Sequence, residues 1–155
     1  MELLLILLAA WLLGGFDKSK SLTNQIKQSF NYSTYDWASL CIMDSDGFEK
    51  YCASWLRKKH GYMCEVTGRT GDNNIDIKVK DSMAKLLGIA ECKHWKGKVG
   101  AKQVKVLYAT MLDCNVNQGW FFSLNGFSDG CRKYTESLIA DINLIEGKEM
   151  VSVDG

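Results

Sequence analysis

The sequence predicts an α/β domain: a central mixed sheet flanked by helices in the order αβββαβα, with a further strand at the end and an N-terminal hydrophobic helix in front. Three observations carry that prediction. A helical stripe with start and stop signals opens the domain, and three runs of strand character follow it. Helix-period and strand-period segments then alternate towards the C-terminus, as they do when helices pack on a sheet. The 155 residues are 46% hydrophobic and 24% charged, which excludes a disordered chain and a multi-span membrane protein.

Residues 3–16 form a run without charged or strongly polar side chains. As a helix the run extends roughly 21 Å, short of the roughly 30 Å hydrocarbon core of a bilayer. Glu2 precedes it and no small-residue cleavage motif follows, which argues against a cleaved signal peptide. Lys18, Lys20 and Lys27 come soon after it, and by the positive-inside tendency they keep the following chain in the cytoplasm. The expectation is a membrane anchor over 1–16, as a transmembrane helix or, given its shortness, a tilted or interfacial one. Residues 17–43 are polar, rich in Ser, Thr, Asn, Gln and Tyr, and read as a tether with room for some helix. The folded domain is expected over 44–155.

That domain opens on a helix. Asp46 is the candidate N-cap with Glu49 three residues on, the spacing of a capping box, and Gly61 is the stop. Phe48, Cys52, Trp55 and Leu56 fall on one face, while Arg57, Lys58 and Lys59 complement the dipole in the last turn. Tyr62, Cys64 and Val66 then alternate with Met63, Glu65 and Thr67 as a first strand, closed by a turn at 68–71. Ile75, Ile77 and Val79 alternate with Asp76, Lys78 and Lys80 as a second. After a polar turn near Asp81, residues 87–93 read as a third. Ala101, Val104, Tyr108 and Met111 recur at helical spacing with Leu107 beside them, and Met111 and Leu112 are assigned to the core. Residues 119–124 make an apolar strand, Ser128 caps a helix to about Ala140, and 142–145 add the last strand.

The formal net charge of +1 conceals a segregation. Residues 57–105 hold twelve Lys and Arg against five Asp and Glu, which suggests a basic face. Six cysteines at 41, 52, 64, 92, 114 and 131 include no C-x-x-C pair, and there are only two histidines. Zinc-ribbon and thioredoxin readings therefore lose their support, and the cysteines read as small core residues of a reduced compartment.

Strand parity brings the chemistry together. Asp76 points away from the face of Ile75, Ile77 and Val79, whereas Glu91 and Lys93, two apart, share a face. Adjacent strands can thus gather two carboxylates and an ammonium. The carboxylates offer hard oxygen ligands to a divalent cation such as Mg²⁺. Such a cation activates water and neutralises charge building on a phosphate, and the lysine can orient that water. A solvated strand edge with a weak ion pair is the plain alternative.

Gly71-Asp72-Asn73-Asn74-Ile75-Asp76-Ile77, followed by Ile89-Ala90-Glu91-Cys92-Lys93-His94-Trp95, resembles the catalytic core of Mrr-type restriction endonucleases of the PD-(D/E)xK nuclease superfamily. Phe48-Glu49 opening a helix, Gly61-Tyr62 before a strand, Thr67-Gly68-Arg69-Thr70-Gly71 and Gly126-Phe127-Ser128 extend the resemblance over about 46–149. Asn73 and Asn74 stand where the family often has glycine, and asparagine tolerates positive φ. The resemblance implies a restriction-endonuclease-like αβββαβ core and metal-assisted hydrolysis of double-stranded DNA. It implies that Asp76 and Glu91 bind the metal and that Lys93 is catalytic. Glu49 matches a first-helix glutamate that can complete the metal environment, its other reading being the capping-box partner of Asp46. Lys96, Lys98, Lys102 and Lys105 follow the catalytic strand and can hold phosphates without reading sequence. Trp95 has two readings, stacking at DNA or packing, and His94 reads as a positioned polar neighbour. A homodimer is admitted. Two alternatives stay open: a non-catalytic DNA-binding module at the membrane, and a junction-resolving or repair nuclease of the same superfamily.

Overall fold

The computed structural model describes residues 36–68 and 75–151. The expected anchor at 1–16, most of the tether, and residues 69–74, which hold most of the expected turn at 68–71 and the Gly71–Asn74 motif, lie outside the described residues. Helix α1 (Trp37–Ile42) falls within the stretch read as a tether. Asp36 caps it by accepting the Ser39 N–H at 2.8 Å, and Leu40 is fully buried. A six-residue helix with one buried anchor leaves no sustained apolar period to be read.

Helix α2 (Ser45–His60) carries the expected stripe, with Phe48, Cys52, Trp55 and Leu56 all buried. Its cap differs from expectation. Asp44, with extended backbone, accepts the Gly47 N–H at 2.7 Å, while Asp46 is already inside the first turn. An N-cap needs non-helical backbone, so Asp46 cannot serve. The third helical position after Asp44 is Gly47, which has no side chain to close a capping box. The capping box expected between Asp46 and Glu49 is therefore not formed. Gly61 ends the helix as predicted, at φ 71°, where its N–H reaches the Arg57 carbonyl; a left-handed residue suits glycine.

The strands are β1 (Met63–Val66), β2 (Ile77–Lys80), β3 (Leu86–Lys93), β4 (Gln118–Ser123) and β5 (Asp141–Glu146). They lie in sequence order in one mixed sheet. β1, β2 and β3 pair antiparallel, and β3, β4 and β5 pair parallel. The two parallel connections contain α3 (Ala101–Asp113) and α4 (Asp129–Glu136), and α5 (Gly147–Val151) follows β5. Two cores result. Residues of α1, α2 and α5 pack with Ile77, Val79, Ala90, Cys92, Trp120 and Phe122 on one face. Val104, Leu107 and Met111 of α3 and Cys131 of α4 pack with Ile89 and Phe121 on the other.

Three local expectations are corrected. Ile75 packs in the α3 and α4 core, whereas Ile77 and Val79 pack beneath α2. The chain bends at Asp76 and β2 begins only at Ile77, so the period of two does not run through the bend. Leu112 is 59% exposed, because it sits one helical step away from the buried Val104, Leu107 and Met111. Helix α4 ends at Glu136 instead of near Ala140, and the Ser137 hydroxyl donates back to the Tyr134 carbonyl at 2.7 Å. All six cysteines are free thiols.

Candidate active site

The site is built where β2 enters the sheet beside β3. Ile77 pairs with Ala90, which sets Asp76 next to Glu91 across the strands. One Asp76 carboxylate oxygen, Oδ2, accepts the Cys92 N–H at 2.7 Å, so the side chain is fastened to the strand that carries its partners. Glu91 and Lys93 point to the same face, as two-residue spacing requires, and form an ion pair through Oε1 and Nζ. The sequence grouping of Asp76, Glu91 and Lys93 is realised in space.

Their electrostatics are those of a crowded anionic cluster. Glu91 is only 8% exposed. Burial, the Asp76 charge and a smaller push from Glu49 raise its carboxyl to about 7, even with Lys93 drawing it down. Asp76 is also raised, chiefly by burial, against the pull of the Cys92 N–H and Lys93. Burial pulls Lys93 down, but its bond to Glu91 and the charges of Glu91 and Asp76 outweigh that and raise it above its ordinary value. Lys93 is therefore an ammonium at neutral pH.

Glu49 stands on α2, one residue past the buried Phe48, and its charge is felt at Glu91, Cys92 and Cys52. A residue from the helix layer thus contributes to the field at the strands. Cys52 and Cys92 share a hydrogen bond between α2 and β3, and burial pushes both thiols up. Thiols held in that protonated state are poor nucleophiles. His94 Nε2 lies 2.8 Å from the Leu40 carbonyl oxygen, and its ring packs 5.0 Å from that of Phe48. It is the positioned neighbour that the sequence suggested.

Beyond the strand, Lys96 and Lys98 are exposed in the connection to α3, and Lys102 is exposed in that helix's first turn. Lys105 is exposed too but lies over the Tyr134 ring of α4, 5.3 Å from its centroid, so it is partly committed to packing. Sequence reasoning missed Asn125, whose side-chain amide donates to the Trp95 carbonyl at 2.7 Å. That bond joins positions thirty residues apart and leaves no local signal. The Cys52–Cys92 pairing is missed for the same reason.

Among the described residues no group of three or more His, Cys, Asp or Glu side chains converges so as to hold a metal alone. The donor set that is present still fits a hard divalent cation. Mg²⁺ is commonly bound through one or two carboxylates, with water and substrate phosphates completing the shell, and a cation would favour the ionised form of Glu91 against the burial and the Asp76 charge that lift it. Among the described residues no helix is long and apolar enough to cross a membrane.

Comparison with known proteins agrees with this architecture. Residues 41–153 match the family model Mrr_cat, described as restriction endonuclease. Among solved structures, the DNA modification-dependent restriction endonuclease AspBHI is similar with a TM-score of 0.52 at 16% identity, over 85% of this chain and 33% of that one. The protein of unknown function AF1548 gives 0.48 at 22% identity over 64% and 56% of the two chains. The MspJI restriction endonuclease, in complex with a 27-mer oligonucleotide, gives 0.44 at 16% over 89% and 31%. The chain thus spans from about a third to just over half of these proteins, and the AspBHI likeness speaks for the fold. No curated protein matches.

Proposed function

The chain belongs to the Mrr_cat restriction endonuclease family, and from that premise we propose that it is an endodeoxyribonuclease hydrolysing phosphodiester bonds of double-stranded DNA with the help of a divalent metal. The observation that carries the reading is the convergence of Asp76, Glu91 and Lys93 at one point of the sheet, with Glu91 lifted to about 7 by burial and by the Asp76 charge. Asp76 and Glu91 would hold the cation. When bound, it would supply activated water and neutralise charge on the phosphate. Asp76, tethered to the Cys92 N–H, keeps its carboxylate in place without substrate. Lys93, held charged by Glu91, donates hydrogen bonds to an attacking water or a phosphate oxygen and does not act as a base. Glu49 tunes the charge of the pair from the helix side. Lys96, Lys98 and Lys102 bind backbone phosphates without reading sequence.

The test is incubation of the protein with plasmid and linear DNA, with and without Mg²⁺. Metal-dependent cutting is expected. Asp76→Asn, Glu91→Gln and Lys93→Ala should each lower it on the order of a thousandfold, as losing a preorganised charge at a reacting centre does. Full activity in any one of these folded variants refutes its role. Glu49→Gln should lower activity without lowering stability, since the cap belongs to Asp44. We also propose, from the sequence alone, that residues 3–16 hold this domain at the cytoplasmic side of a membrane. Fractionation and protease protection of a full-length fusion test it, and a wholly soluble protein removes the anchor.

A further inference from the structure

We propose that Trp95 contacts DNA directly, its exposed ring stacking on a nucleobase beside the phosphate bound at Asp76, Glu91 and Lys93. The inference rests on the nuclease reading above and deepens it by naming a substrate feature: a base near the cut that is unpaired or easily unstacked.

Trp55 and Trp120 are 7% and 3% exposed, whereas Trp95 keeps 43% of its surface exposed even with Lys93 Nζ over its ring at 5.6 Å from the centroid. An indole packed only for stability would be covered. The backbone that carries the ring is also held in register with the site. The Leu124 N–H donates to the Lys93 carbonyl at 3.1 Å, and the Asn125 amide donates to the Trp95 carbonyl at 2.7 Å. His94, between them, is pinned to the Leu40 carbonyl and the Phe48 ring. The backbone at Trp95 and just before it is therefore anchored before any substrate arrives, which reduces the ordering entropy lost on binding. Lys96 and Lys98 are exposed immediately after it.

An open aromatic on anchored backbone, flanked by lysines, is the arrangement that binds a nucleic-acid strand by stacking with phosphate contacts alongside. Within a paired duplex a base offers no free face. Stacking on Trp95 thus requires a base to leave its neighbours, which costs least at a mismatch, a gap or a single-stranded stretch.

Binding by the full chain is measured in a Glu91→Gln background, in which cutting should be too slow to compete, while wild-type cleavage is followed in parallel. Trp95→Ala should weaken binding by about fivefold to 150-fold, the range for removing one base stack. Trp95→Leu should behave like alanine and Trp95→Phe should stay near the parent. An abasic residue walked along the oligonucleotide should weaken the parent at one position near the cut and have no further effect there in Trp95→Ala. Leucine binding as well as tryptophan, or abasic penalties that add fully to Trp95→Ala at every position, overturns the proposal while wild-type cutting leaves the nuclease reading standing. A wild-type chain that neither binds nor cuts DNA overturns both.

Discussion

The two halves of the sheet are built for different work. In the parallel half, β4 is buried along nearly its whole length, with Trp120 and Phe122 under α2 and Phe121 under α3. In the antiparallel half, β1 alternates between exposed and half-buried positions and β2 between buried and half-buried ones. Parallel strands covered on both faces must be apolar throughout, whereas antiparallel strands can turn one face to water. The candidate site lies at the seam, on β3, which pairs antiparallel with β2 and parallel with β4. Glu91 sits opposite Phe121 on one side and beside Asp76 on the other. The lesson is that a rigid apolar neighbour holds the strand while a short, solvated neighbour leaves room for charge.

Breaking the rigid side should produce the largest change in stability. Phe121 is fully buried and packs edge-on against Phe127, with centroids 5.7 Å apart. Phe121→Ala should cost about 3–5 kcal/mol, read as a lower denaturation midpoint. The Glu65–Lys80 pair lies on the exposed side, with Glu65 half exposed, and Glu65→Ala should leave the midpoint where it is. Equal losses in the two variants would erase the distinction between the halves.

The seam should also be visible in a pH titration of metal-free protein. Glu91 is raised from 4.5 to about 7 in the folded state, so the native chain holds a proton that the unfolded chain has released. Its stability contribution is full below about 4.5, declines as pH rises through about 7, and is flat above. The difference amounts to on the order of 3 kcal/mol. Asp76 is shifted in the same direction and adds to the slope. Glu91→Gln should flatten it, and a divalent cation should reverse it by favouring the ionised pair. A wild-type stability that climbs from pH 4.5 to 7 without metal contradicts the crowded cluster.

This contrast also explains what the sequence could and could not reveal. Glu91 and Lys93 share a regular strand, so their common face follows from spacing. Asp76 lies at a bend, and its alignment with Glu91 survives although the face assigned to Ile75 does not. The stripe of α2 was legible because four apolar residues mark it, three of them large, while its cap was misplaced by two because Asp44 and Asp46 are equally good capping residues in isolation. Only tertiary packing makes Glu49 a neighbour of Glu91, and only tertiary packing fastens Trp95 to Asn125. Neither leaves a periodic trace.

The basic segment gives a smaller effect. Charge reversal at Lys96, Lys98 and Lys102 should weaken binding to every sequence and flatten the dependence of log affinity on log salt, by roughly one unit for each phosphate no longer neutralised. The same change at Lys105, which lies over Tyr134, should move the salt slope less and the stability more. An unchanged slope after all three reversals places the phosphate-binding surface elsewhere.

The smallest effect is expected at the hairpin of the antiparallel half. Between β2 and β3, Asp81 Oδ1 accepts the N–H groups of Met83 and Lys85 at 2.8 and 2.9 Å, and the Ala84 N–H reaches the Asp81 carbonyl. That closure holds Ala84 at φ 62°, a left-handed conformation that a Cβ disfavours by roughly 1–2 kcal/mol. Asn115, after α3, has φ 53°, but asparagine tolerates this region. Glycine would remove the Ala84 strain and return part of the gain as extra freedom of the unfolded chain. Ala84→Gly should therefore stabilise by about 0.5–1 kcal/mol, and Asn115→Gly by less. For a domain of this size that is a rise in Tm of a few degrees, roughly 2–6 °C. If Ala84→Gly melts at or below the parent while Asp81→Ala also has no effect, the hairpin is not held by its aspartate and the strain at Ala84 is not there.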